Sequence, residues 1–151
     1  MEGTEFTILL PLKIAGKPVL SGDISTKPSP KRILVVDDHE ENRDLLGILL
    51  RKENHSVSFA KNGQEAISEC REKQFDLILM DLLMDVMDGY TATRLIREWE
   101  KDMGKKPVPI VALTAIALKG DLDKCLKAGC NAYIVKPFRR EELISIIAKF
   151  N

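Results

Sequence analysis

The fold is decided by the stretch FDLILMDLLMDVMDG, residues 75–89. Residues 75–80 form an apolar run that is typical of a buried strand. That run ends on the carboxylate Asp81, and two more acids, Asp85 and Asp88, follow within the same stretch. A carboxylate at the end of a core strand indicates a role other than packing for Asp81.

Around this stretch, strand and helix patterns alternate in five βα units that begin at Lys31. The strands are predicted at residues 32–36, 56–60, 75–80, 109–114 and 131–135. Strand segments such as ILVV, LILM and IVAL are apolar throughout, which favours a parallel sheet covered by helices on both faces. We therefore predict a doubly wound α/β domain. Within the first helix, spacings of three and four residues predict one buried stripe, made by Leu45, Leu46, Leu49 and Leu50.

Length and composition limit the class of protein. A chain of 151 residues with 44% hydrophobic residues suffices for one domain with an extension. Its 23 basic and 23 acidic residues cancel, so there is no general attraction to nucleic acid or anionic lipid. The three cysteines contain no CxxC pair, which indicates reduced thiols. No apolar run could cross a bilayer or act as a secretory signal, so we expect a cytoplasmic protein without direct membrane contact.

Polar side chains follow the predicted strands where the strands end. Asp37 and Asp38 follow the first strand, Asp81 the third, Thr114 the fourth and Lys136 the fifth. Carboxylates ~5 Å apart repel each other by about 3 kcal/mol at an effective dielectric of ~20, so the cluster favours a cation. Oxygen ligands without His or Cys favour Mg²⁺. A metal beside a lysine and a hydroxyl suits a phosphoryl group, with Asp81 as the nucleophile.

Each of these residues also has a simpler interpretation. Asp37 and Asp38 could cap the first helix. Asp81 could be a turn residue, and Lys136 a solvated loop lysine. Thr114 alone says little. The functional interpretation depends on the fact that all of these residues stand at the carboxyl ends of separate predicted strands.

In this order, the segments VVDD, LILMDLLMDVMDG, ALTA and KPF resemble the receiver domain of two-component response regulators. The resemblance covers residues 31–150. It implies a flavodoxin-like fold with a five-stranded parallel sheet of order 2-1-3-4-5.

The resemblance also implies roles at the strand ends. Asp81 matches the phosphoacceptor and is one of the residues around the Mg²⁺ ion. Asp38 matches the direct metal ligand, Asp37 a ligand acting largely through water, and the backbone carbonyl of Leu83 a further ligand.

Phosphoryl binding and switching are implied for four residues. Lys136 and Thr114 match the phosphoryl-binding pair, and the small Ala115 leaves room for a phosphohistidine to approach. Thr114 and Tyr133 match the switch, in which the hydroxyl moves toward the phosphoryl group and the aromatic ring turns inward. The alternative for Tyr133 is an ordinary aromatic residue at the sheet edge.

The loop after Asp81 departs from the family pattern MPxxDG, because Asp85 stands where proline is usual. We expect this acid to alter Mg²⁺ affinity or the lifetime of the phosphoryl group. In the receiver family, the positions two residues beyond the phosphoacceptor and two beyond the switch threonine influence water access to the acyl phosphate. Here they are the apolar Leu83 and Ile116, so the resemblance implies slow self-dephosphorylation.

An extension precedes the predicted domain. The segment GTEFTILLP, residues 3–11, resembles the last strand of a histidine-kinase ATP-binding domain. We therefore predict a remnant strand at 1–11, a linker at 12–30 and the receiver at 31–151, derived from a hybrid histidine kinase. The orphan strand must pair with another chain, dock on the domain or stay loose. Alone, the fragment is expected to lack kinase activity.

His39 begins the segment HEENR, which echoes the HExxR of a kinase phosphoacceptor helix. An acid pair and a strand precede it, so we interpret His39 as a solvated residue in the first turn of a helix.

Two rival functions are an Mg²⁺-dependent phosphohydrolase with an aspartyl nucleophile and a pseudo-receiver that only binds proteins. The expected partners are a kinase phosphohistidine helix, in cis or in trans, or a histidine phosphotransfer protein. No nucleic-acid partner is expected, and a homodimer remains open.

Overall fold

The computed structural model describes residues 7–8, 29–115 and 118–150, and for residues 7 and 8 the backbone only. The strands are β1 Thr7–Ile8, β2 Arg32–Val36, β3 Ser56–Ala60, β4 Leu77–Asp81, β5 Ile110–Thr114 and β6 Ala132–Val135. The helices are α1 Glu40–Lys52, α2 Gly63–Glu72, α3 Gly89–Asp102, α4 Lys119–Ala128 and α5 Arg140–Ala148. Each predicted strand and helix of the five βα units is therefore present.

Five strands pair in parallel in the order β3-β2-β4-β5-β6. Counted without β1, this is the predicted order 2-1-3-4-5, and the flavodoxin-like doubly wound fold is confirmed. The short strand β1 pairs antiparallel with β6, with Thr7 opposite Tyr133 and Ile8 opposite Ala132. Of the three placements expected for the orphan strand, the structure shows docking on the domain. The rest of the predicted extension, residues 1–6 and 9–28, lies outside the described residues.

The central strands divide the core into two layers. Along β4, Ile78 and Met80 pack on the side of α2, α3 and α4, while Leu77 and Leu79 pack on the side of α1 and α5. All four are 0% exposed. Full burial of such a side chain contributes roughly 1.5–3 kcal/mol, so both faces of β4 hold its carboxyl end, and with it Asp81, in a fixed position.

The predicted stripe on α1 was wrong for one residue. Leu46 and Leu50 are 3% and 1% exposed, whereas Leu45 is 57% exposed. The sheet covers only the centre of the apolar stripe. Leu45 lies at its margin, where it lines an open cavity.

Gly89, the first residue of α3, approaches the end of β4 closely. A Cβ atom at this position would overlap the carbonyl oxygen of Asp81 and lie 2.8 Å from the Cα of Leu82. The preceding residue, Asp88, caps the helix by accepting a hydrogen bond of 2.8 Å from the amide of Thr91. The acids of the opening stretch therefore have different tasks, and that of Asp88 is structural.

None of the helices in the described part of the chain is long and apolar enough to span a bilayer.

Candidate functional site

The carboxyl ends of β2, β4, β5 and β6 bring the predicted residues together. Asp37 follows β2, Asp81 ends β4, Thr114 ends β5 and Lys136 follows β6. The Nζ atom of Lys136 lies 3.4 Å from Asp37 Oδ2 and 3.5 Å from Asp81 Oδ2. Lys136 also donates its backbone amide to the Thr114 carbonyl oxygen at 2.7 Å. One ammonium group thus joins two carboxylates from separate strands.

Asp37 is fully buried and held from several sides. Its Oδ1 accepts the backbone amide of His39 at 2.9 Å, and the Nδ2 of Asn42 lies 3.4 and 3.2 Å from the two carboxylate oxygens. Arg43 donates to its backbone carbonyl at 2.8 Å. Sequence reasoning missed Asn42 and Arg43, although their position in the first turn of α1, directly after the acid pair, could have indicated them.

Asp38 is less constrained. Its Oδ1 is buried without a hydrogen-bond partner among the described residues. His39 Nδ1 lies 2.9 Å from that oxygen, but the angles of this contact are not those of a hydrogen bond. A buried carboxylate oxygen without a partner is costly, and a bound cation would remove that cost. The acids therefore fit a divalent ion.

Helix capping does not explain the acid pair. The N-cap residue of α1 is His39, and no side chain makes a capping hydrogen bond there. Asp37 does accept the amide of His39, but it also faces Lys136 across the sheet edge. The capping alternative is therefore wrong for Asp38 and accounts for only part of the contacts of Asp37.

Asp81 is 6% exposed. Burial raises the pKa of its carboxyl group, the Lys136 ammonium opposes that increase, and the Asp37 carboxylate adds to it. The backbone amide of Leu83 donates to Oδ1 at 3.2 Å and also favours the charged form. The carboxylate is thus withdrawn from water and held at both oxygens.

The loop after Asp81 contains a tight turn. The amide of Met87 donates to the carbonyl of Asp85 at 2.8 Å, two residues back, and Val86 between them has φ 71°. This combination is typical of a γ-turn in its strained form. Leu83 and Val86 are 55% and 82% exposed, and Asp85 is exposed. These loop side chains therefore face solvent.

Thr114 is 2% exposed, while Ala115 after it is exposed at the surface of the site. Tyr133 is 7% exposed and belongs to the core layer on the α2, α3 and α4 side. Its ring is therefore not an exposed aromatic at the sheet edge. Ile116, used above for the prediction of slow dephosphorylation, lies outside the described residues.

A cavity of about 450 Å³ opens beside the site, between α1 and the β6–α5 loop. Its wall is mostly apolar, with the polar site residues at one end. The lining residues are Asp37, Asn42, Leu45, Leu46, Leu49, Leu113, Ala115, Lys136, Pro137 and Phe138. An apolar surface therefore leads directly to Lys136 and to the carboxylates it joins.

Comparison with known proteins identifies this arrangement. The family model of the response regulator receiver domain matches residues 33–148. The chain belongs to this family. It is a receiver domain of two-component phosphorelay signalling.

The receiver has relatives in hybrid kinases. It is 44% identical over 119 residues to "Hybrid signal transduction histidine kinase M" of Dictyostelium discoideum, a match that covers 78% of this chain and 5% of that protein. The chain therefore spans a small part of the relative it matches.

Two solved receivers are each 40% identical to this one. The Saccharomyces cerevisiae Ssk1 receiver, crystallised with the histidine phosphotransfer protein Ypd1, has a TM-score of 0.75, and the match covers 78% of this chain and 86% of that chain. The receiver of the sensor histidine kinase PA1611 from Pseudomonas aeruginosa, with magnesium in its active site cleft, has a TM-score of 0.72, and the match covers 81% of this chain and 98% of that chain.

Proposed function

We propose that this receiver accepts a phosphoryl group from a phosphohistidine onto Asp81. The observation that carries the proposal is the position of the Lys136 ammonium, within 3.5 Å of an oxygen of Asp81 and of Asp37. An Asp81 oxygen would form the new O–P bond as the P–N bond to the histidine breaks, and the imidazole leaves with the bonding electron pair and takes up a proton. Lys136 would pair with the phosphoryl oxygens, and the Thr114 hydroxyl would donate to one of them.

Mg²⁺ is the proposed cofactor. Asp37, Asp38, Asp81 and the backbone carbonyl of Leu83 would hold it, and the buried oxygen of Asp38, which accepts no hydrogen bond among the described residues, supports this assignment. When bound, the ion supplies positive charge to the phosphoryl oxygens. Asp37 would orient its carboxylate through the contacts it already makes with Asn42 and the His39 amide.

The donor would dock on the apolar cavity beside Lys136. Leu45 and Ile48, on the outer surface of α1, are 57% and 53% exposed and extend this apolar surface. An amphipathic helix carrying a phosphohistidine is complementary to such a surface. We propose that it belongs to a histidine kinase, in cis or in trans, or to a histidine phosphotransfer protein, as the Ssk1 receiver with Ypd1 suggests.

Phosphorylation would be transmitted by Thr114 and Tyr133. Thr114 ends β5, and Tyr133 lies in the neighbouring β6 among the core residues that also contact α4. Movement of the threonine hydroxyl toward Asp81 would let the Tyr133 ring repack and shift α4. A Thr114→Val variant should accept phosphate yet lose the phosphorylation-dependent amide shifts of α4 in NMR spectra, whereas Thr114→Ser should retain them.

We further propose a hybrid histidine kinase as the parent protein. In it, residues 1–11 are the end of the ATP-binding domain, 12–30 the linker and 31–151 the receiver, located in the cytoplasm. The fragment itself would catalyse only its own phosphorylation and slow dephosphorylation. Relatives among hybrid kinases and the resemblance of residues 3–11 support this origin.

The test is incubation with Mg²⁺ and acetyl phosphate, followed by intact-mass measurement. The wild type should gain one phosphoryl group and keep it for minutes or longer, Asp81→Asn should gain none, and Asp85→Asn, an exposed acid of the same loop, should still gain it. A pseudo-receiver would gain nothing, and a phosphohydrolase would release phosphate continuously. Unchanged labelling of Asp81→Asn would refute the proposal.

A further inference from the structure

His39 places an imidazole nitrogen against both acids that follow β2. Its Nδ1 lies 2.9 Å from Asp38 Oδ1 and 3.5 Å from Asp37 Oδ1. One ligand atom from each of these three residues lies within 4.8 Å of the others. The cluster therefore offers a divalent ion two carboxylates and one nitrogen ligand.

The position of His39 is set by the backbone. Its amide donates to Asp37 Oδ1 at 2.9 Å, and its conformation is extended, with φ −99° and ψ 123°. The imidazole is 66% exposed and makes no helix-capping bond. The imidazole therefore contacts the acid pair and does not cap α1.

The separations match those of neighbouring ligands on one ion. In a six-coordinate site with ~2.1 Å bonds, adjacent ligand atoms are about 3.0 Å apart. The two His39 distances, 2.9 and 3.5 Å, are close to that value. Asp38 Oδ1, the nearer of the two oxygens, is buried and lacks a hydrogen-bond partner among the described residues.

We propose that His39 is an additional metal ligand, which strengthens the binding of ions that accept imidazole, such as Ni²⁺, Co²⁺ and Mn²⁺, more than the binding of Mg²⁺. The inference rests on the proposed cation site but not on phosphoryl transfer. Mg²⁺ prefers oxygen ligands and gains little from an imidazole, whereas affinity for nitrogen rises from Mn²⁺ through Co²⁺ to Ni²⁺. His39 thus makes the ion held by Asp37 and Asp38 depend on which metals are available.

Binding of the metal alone tests this. The 151-residue chain is titrated calorimetrically with NiCl₂ and with MgCl₂. The substitution His39→Ala should weaken the affinity for Ni²⁺ by about tenfold or more and change the affinity for Mg²⁺ by less than about twofold. Pulsed electron paramagnetic resonance of bound Mn²⁺ should show ¹⁴N coupling in the wild type and none in His39→Ala. Equal losses for both ions, or absence of ¹⁴N coupling in the wild type, would overturn the assignment.

Two further variants locate the ion. The chain has two histidines, and the other, His55, is buried and accepts the Lys31 amide at 3.0 Å, so His55→Gln should retain the ¹⁴N coupling. Asp38→Ala should lose the coupling, and its persistence would place the ion elsewhere and overturn the proposal.

Acetyl phosphate labelling is measured separately. Failure of labelling with ¹⁴N coupling intact would refute the proposed function alone, and labelling without coupling would refute the role of His39 alone.

Discussion

Lys136 follows β6 and Asp81 ends β4, two strands that are not neighbours, yet Lys136 Nζ lies 3.5 Å from Asp81 Oδ2. The side chain of Lys136 crosses the end of β5 to reach the carboxylate of β4. It meets Asp37 at the same point, 3.4 Å away. The lysine is therefore the internal counter-ion of both acids.

Replacing Lys136 by methionine should lower phosphoryl uptake by about a hundredfold, because one of few positive donors to the transferred group is lost. The two carboxylates would be left without their ammonium, which should lower stability by about 1–3 kcal/mol. Mg²⁺ should then raise the melting temperature more in the variant than in the wild type. Lys101→Met, at an exposed position of α3, is the control. Wild-type labelling of Lys136→Met would contradict this assignment.

Gly89→Ala should destabilise the domain by about 1–3 kcal/mol, because the added methyl would overlap the backbone of Asp81 and Leu82. Gly120→Ala is the matched control, since Gly120 lies in α4 and, outside its own helical turn, a methyl group added there would meet no atom of the described residues within 4 Å. It should be neutral or stabilising by up to about 1 kcal/mol. Urea unfolding measures both, and equal midpoints for the two variants would refute the close approach.

Val86→Gly should stabilise the loop after Asp81. A left-handed conformation costs a β-branched residue roughly 1–2 kcal/mol, and glycine adopts it freely, so the net gain is up to about 1 kcal/mol. Little burial is lost because Val86 is 82% exposed. Val86→Ala, which keeps a Cβ at the same φ of 71°, should recover less of this free energy. Urea unfolding with no gain for Val86→Gly would argue against the strained turn.

His55 should make stability depend on pH. Burial lowers the pKa of its imidazole, the Lys31 charge lowers it further, and Glu53 opposes both. The unfolded chain therefore binds the proton more readily, so this contribution is complete above the unfolded pKa of about 6.5 and is lost as the pH falls toward the lower folded value. Protonation also removes the acceptor of the Lys31 amide, worth about 1 kcal/mol, or about 2–4 °C in melting temperature.

Thermal unfolding between pH 7.5 and 5 measures this effect. His55→Gln should lose part of the pH dependence of the melting temperature that the wild type shows. An identical pH profile for the wild type and His55→Gln would show that His55 does not contribute.

The meeting of Asp37, Asp81, Thr114 and Lys136 could be predicted because parallel strands carry their carboxyl ends to one edge. Sequence order alone gives that result once the strands are recognised. The order of the strands does not determine the conformation of individual side chains. For this reason, neither the contact of Lys136 with Asp37 nor that of His39 with Asp38 was predicted.

The apolar periodicity of a helix does not predict burial correctly at the edge of its apolar stripe, for a related reason. The spacing of Leu45 and Leu46 places both on the apolar side of α1, but the extent of the sheet beneath the helix determines which of them is covered. The pairing of β1 was open as well, since the sequence of residues 3–11 does not specify a partner strand. Both depend on contacts between distant parts of the chain, which local patterns do not contain.

The antiparallel pairing of Thr7 and Ile8 with β6 has a practical consequence for shortened versions of the domain. A receiver trimmed to begin near residue 31 would leave that side of β6 with main-chain amides and carbonyls facing solvent. Such an open border attracts any extended peptide, including the same border of another molecule. Self-association of a trimmed protein would then be caused by the newly exposed edge of β6 and would not be evidence for dimerisation in signalling.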